Sequence, residues 1–77
     1  MQPIDFEGSN KIYAKGQPEY LPLPVLQVDG QTISCWQLTN EEIEKLIETK
    51  CLWLGVLGTI VQPTFIMVDR PFTLGGL

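Results

Sequence analysis

Short apolar runs at 25–28 and 32–36 flank an Asp29-Gly30 pair, apolar residues recur at helical spacing through 40–50, and nearly continuous apolar stretches follow at 51–58 and 64–69. Asp-Gly suits a type I′ turn, whose two central residues take positive φ, so the first two runs are expected to form an antiparallel hairpin. Its register sets Ile33 and Cys35 on one face and Thr32, Ser34 and Trp36 on the other. Thr39 followed by Glu42 is a capping-box signature. Glu41, Glu42 and Glu44 favour the positive end of a helix over about 40–50, Lys50 favours the other end, and Ile43, Leu46 and Ile47 form one apolar stripe. The stretches CLWLGVLG and TFIMVD, apolar on both faces, are expected as two further strands around a loop at 59–63.

Residues 1–24 break this regularity with Gly8, Gly16, Pro3, Pro18, Pro22 and Pro24, and are expected to form an irregular arm anchored by Phe6, Ile12, Tyr13, Tyr20, Leu21 and Leu23. The expected fold is α+β. A single domain over 1–77 divides into an arm (1–23), a β-β-α-β-β core (24–72) and a flexible tail (73–77), with one helix on one face of a four-stranded, mostly antiparallel sheet. A helix of about three turns covers only one face of such a sheet. The other face falls to the arm or to a second subunit, and a homo-oligomer, most simply a two-fold dimer, is expected.

Size sharpens that expectation. A chain of 77 residues buries only about 60–65% of the surface its unfolded form exposes, and domains this small usually add disulfides, a metal or oligomerisation. The sequence has no His, and Cys35 and Cys51 lack the spacing of a zinc cage, so neither metal nor cofactor is expected. The start MQPIDFEGSN has no signal-peptide features, and both cysteines are expected as reduced, buried thiols in a cytosol. The net charge is −4 and the basic residues Lys11, Lys15, Lys45, Lys50 and Arg70 do not cluster, which argues against duplex nucleic acid as a partner. No apolar run approaches the roughly 20 residues of a membrane span.

Catalytic residues are not expected. Glu41, Glu42, Glu44 and Glu48 lie on the solvated side of the helix, while Ser9, Ser34, Cys35 and Cys51 have no His to activate them. Binding chemistry has three candidate places. Gly8-Ser9-Asn10-Lys11 is either an ordinary turn or an anion cradle of backbone N–H groups beside an ammonium. Trp36 and Gln37, with Thr59 and Gln62, are either core and loop residues or a stacking platform with polar edges for a planar base. Arg70 either pairs with a surface acid or grips a phosphate or carboxylate.

Phe6, Gly8 and Asn10, then Leu23-Pro24-Val25, Ser34-Cys35-Trp36, Trp53-Leu54 with Val56-Leu57, and Gln62-Pro63 together resemble a group of very short proteins encoded by bacteriophages and prophages. The acidic helix and the single Pro63 depart from the more basic helix and second proline usual there. The resemblance implies a phage accessory protein, a class that includes inhibitors of bacterial immunity and sponges for nucleotide second messengers. The expected function is therefore anti-defence binding and sequestration, without cleavage, of a nucleotide-derived immune signal such as a cyclic ADP-ribose or cyclic dinucleotide. Trp36 would stack on the base, Asn10, Lys11 and Arg70 would meet phosphates, and Gln37, Thr59 and Gln62 would read polar edges. The alternative is a protein-protein inhibitor or adaptor working through an apolar face or the acidic helix. A sponge should present a pocket with convergent polar groups, an adaptor a contiguous exposed apolar patch.

Overall fold

The computed structural model of the chain describes residues 1–13, 22–56, 58–59 and 63–74. Tyr20, Leu21, Leu57, Gln62, the middle of the arm and the end of the tail fall outside that set. The fold is α+β, with strands β1 (Gln2–Ile4), β2 (Lys11–Tyr13), β3 (Leu23–Val28), β4 (Gln31–Ile33) and β5 (Cys35–Gln37) preceding one helix, α1 (Asn40–Thr49). Two antiparallel sheets form: β1 with β5, and β2-β3-β4 with β3 in the middle.

The hairpin forms where the turn pair demands it. Val28 pairs with Gln31, leaving Asp29 and Gly30 as a two-residue loop, and both have positive φ, 51° and 74°. Leu26 then faces Ile33, and these two with Val25 are the buried apolar core, Val25 being fully enclosed. The strand does not run on to Trp36 as one unit. It breaks at Ser34, and Cys35–Gln37 leaves to pair with β1, so that Cys35 is exposed rather than sharing the buried side of Ile33.

Among its described residues the arm, expected to be irregular, forms β1 and β2, and Pro3, Pro24 and Gly8 occupy tolerated positions. Pro3 sits in β1, which among the described residues has a neighbour on one side only, where a missing N–H breaks no ladder. Pro24 pairs with Ile12 on the β2 side, whereas β4 joins β3 only from Leu26 onward. Gly8, with φ 108°, turns the chain between β1 and β2, closed by the Ser9 N–H donating to the Phe6 carbonyl at 3.1 Å.

The helix follows its caps. The Thr39 hydroxyl accepts from the Glu42 N–H at 3.1 Å, and the Glu42 carboxylate accepts from the Thr39 N–H at 2.9 Å. Lys50 ends it in the left-handed region (φ 56°), its N–H reaching the Leu46 carbonyl at 2.7 Å. The helix does not bury its stripe against a sheet: none of its residues is buried, and Ile47 is 71% exposed.

The expected four-stranded sheet does not form. Among the described residues, neither 51–56 nor 63–69 belongs to a strand. Apolar composition gave both stretches strand character, but a strand also needs a partner edge, and the edge strands β1, β2, β4 and β5 are only three residues long.

Candidate functional site

Of the residues singled out for binding, Asn10 has its side chain engaged within the fold. Its Nδ2 donates to the Gln27 carbonyl at 3.0 Å and its Oδ1 accepts from the Gln27 N–H at 2.9 Å. The carboxamide thus acts as a substitute peptide group, extending the β2–β3 ladder past Lys11. Its own N–H donates to the Val25 carbonyl at 2.8 Å. Two backbone N–H groups of the Gly8–Lys11 turn, those of Ser9 and Asn10, are therefore committed to protein carbonyls.

The same corner holds an open cavity of about 340 Å³ lined by Asp5, Ser9, Asn10, Lys11 and Ile12. Asp5 Oδ1 accepts from the Ser9 hydroxyl at 2.7 Å and from the Phe6 N–H at 3.0 Å, so a carboxylate shares the cavity with the ammonium. Lys11 rests over the Tyr13 ring, 4.6 Å from its centre. Arg70 lies over Phe72 at 5.7 Å, Phe72 packs on Phe6 with ring centres 5.9 Å apart, and a Cβ at Gly8 would come within 3.0 Å of the Phe72 ring. This chain of contacts brings Arg70 to the Gly8 side of the molecule.

Trp36 and Gln37 lie on β5, in the other sheet. Trp36 is 46% exposed, with its indole N–H donating to the Ser34 hydroxyl at 2.8 Å. Thr59 is exposed, and Gln62 is outside the described residues. Neither this cavity nor the one beside α1 is lined by Trp36, Gln37, Thr59 or Arg70.

A second place carries the features that pattern reading assigned to a core. Beside α1 lies a shallow, mostly apolar groove of about 260 Å³ whose walls include Leu38, Leu46, Cys51, Leu52 and Trp53, with Glu42 and Lys45 at its edge. Trp53 is 93% exposed, and Leu54 and Val56 are also exposed. Cys51, expected as a buried thiol, is an exposed wall of this groove because the strand meant to bury it is not formed.

The charged groups lining this groove are Glu42, Lys45 and the α-ammonium of Met1. The α-ammonium of Met1 lies 2.6 Å from the Glu42 carboxylate. That ammonium, followed by the Thr39 N–H and hydroxyl, holds the Glu42 carboxyl below its usual 4.5. Among the described residues no helix is long and apolar enough to cross a membrane, and no group of three or more His, Cys, Asp or Glu is arranged to hold a metal. No protein-family model, curated protein or solved structure matches this chain.

Proposed function

We propose that the chain is a non-catalytic protein-binding module, an inhibitor or adaptor that engages its partner at the groove beside α1. The observation that carries this reading is the exposure of Trp53 at the mouth of an apolar groove, next to a helix whose stripe is open to solvent. A lone exposed aromatic is unremarkable, but an apolar groove rimmed by charge is the usual form of a peptide-docking site. The acids on α1 select the partner's chemistry. Glu41, Glu42, Glu44 and Glu48 outnumber Lys45 and Lys50, in a chain of net charge −4, so the complementary ligand is a protein segment with an apolar anchor flanked by basic residues. The phage accessory setting implied by the resemblance is compatible with such a role. For nucleotide sequestration, by comparison, the proposed base-stacking and phosphate-meeting residues lie on different sheets and loops.

The test uses Trp36→Phe, which leaves Trp53 as the sole indole, and titrates it with an amphipathic Leu/Lys peptide, the matching Leu/Glu peptide, and a panel of cyclic nucleotides and ADP-ribose isomers. The expected result is a saturable blue shift with the Leu/Lys peptide, weakened by salt and absent with the Leu/Glu peptide. A flat response to both peptides overturns the reading. A rise in melting temperature with one signalling nucleotide and none with ATP returns the function to sequestration.

A further inference from the structure

Met1 lines the groove beside α1, and the pairing of β1 with β5 puts it there. Gln2 lies opposite Gln37, so the antiparallel register carries the residue before Gln2 towards Leu38 and the Thr39 cap, and Met1 and Leu38 both reach the groove. The Met1 ammonium sits 2.6 Å from Glu42 Oε1, the same oxygen that accepts from the Thr39 N–H at 2.9 Å. Among the described residues that line the groove Glu42 is the only acid, and Lys45 has the wrong sign to receive a basic ligand.

Met1 therefore presents at this place the two features assigned to the partner, an apolar side chain and a positive charge beside it. A ligand that brings a basic flank here meets a carboxylate already holding a cation. We propose, on the reading that the groove is the partner's site, that Met1 is a resident competitor for it: docking displaces the α-ammonium from Glu42, and removing that charge tightens docking.

A cation tethered to the same chain faces Glu42 at a high effective concentration. Only molecules in which the ammonium has left are open to the incoming charge, so the apparent affinity falls by that fraction. Both partners of the ion pair are partly solvated, and ion pairs in contact with water are weak, so the handicap is a factor of up to about five. A partner with a good apolar anchor overcomes it.

The test compares the full Trp36→Phe chain, made by chemical synthesis, with a free and with an acetylated α-amine. Acetylation removes the charge and leaves the Met1 side chain in place. A third form with desamino Met1, lacking the amine altogether, controls for the bulk of the acetyl group. Titrated through Trp53 with the Leu/Lys peptide, both neutral forms should bind more tightly than the free amine by that factor. In Glu42→Gln, which keeps the capping acceptor, all three forms should bind alike. Neutral forms that bind no more tightly than the free amine, or a gain that persists in Glu42→Gln, overturn this inference and leave the groove reading standing. Absence of binding by every form removes both.

Discussion

Asn10 does with its side chain what the next peptide group of β2 would otherwise do. Both of its amide atoms are matched to Gln27, which no other side chain of similar length does as well, since Asp lacks the donor and Leu lacks both. Gln27 is exposed, so water replaces part of what is lost on truncation, and the expected cost of Asn10→Ala is about 1 kcal/mol. For a domain of this size that lowers the melting temperature by roughly 4–8 °C, measurable by a CD melt. An unchanged melt would free Asn10 from the scaffold and return it to the ligand-binding candidates. The residue was visible in the sequence as a turn asparagine beside a lysine, but its engagement was not, because its partner lies 17 positions away.

Among the elements, those legible from sequence are those whose determinants are local. The Asp29-Gly30 turn and the Thr39–Glu42 box each fit within four residues, and both formed as expected. The arm strands were hidden because their partners are distant, Gln2 opposite Gln37 and Lys11 opposite Val25. The late strands failed for the converse reason: apolar composition states a preference for burial and leaves open whether the burying surface belongs to the same chain. Helix α1 supplies a pH test. The folded Glu42 carboxyl titrates below 4.5, so its contribution is present above that value and is lost as pH falls through the lowered one. Glu42→Gln keeps an acceptor for the Thr39 N–H but loses the charge. Melts at about pH 6 and about pH 3 should therefore differ less in the variant than in wild type. Equal pH dependence would show that the ion pair with Met1 contributes nothing in solution.

At the scale of the molecule little apolar surface is enclosed: among the described residues the buried apolar core is Val25, Leu26 and Ile33. Such a core is small even for a short domain, and the exposed apolar residues of 52–56 and 65–68 are where additional burial is available. Docking of a basic, apolar-anchored partner at the groove draws on that reserve and should raise thermal stability as the partner's concentration rises.

The most direct measurement is hydrogen exchange, read by mass spectrometry on the dilute protein and again with the Leu/Lys peptide added. In dilute solution the amides of β3 and β4 should be the best protected and those at 52–56 and 65–68 among the least. With the peptide, protection should rise at 52–56, where Leu52 and Trp53 line the groove, and remain low at 65–68. Dilute protein in which 52–56 and 65–68 are protected as strongly as β3 would contradict this picture. It would mean that the two late strands form within a single chain, and that neither stretch is an open surface.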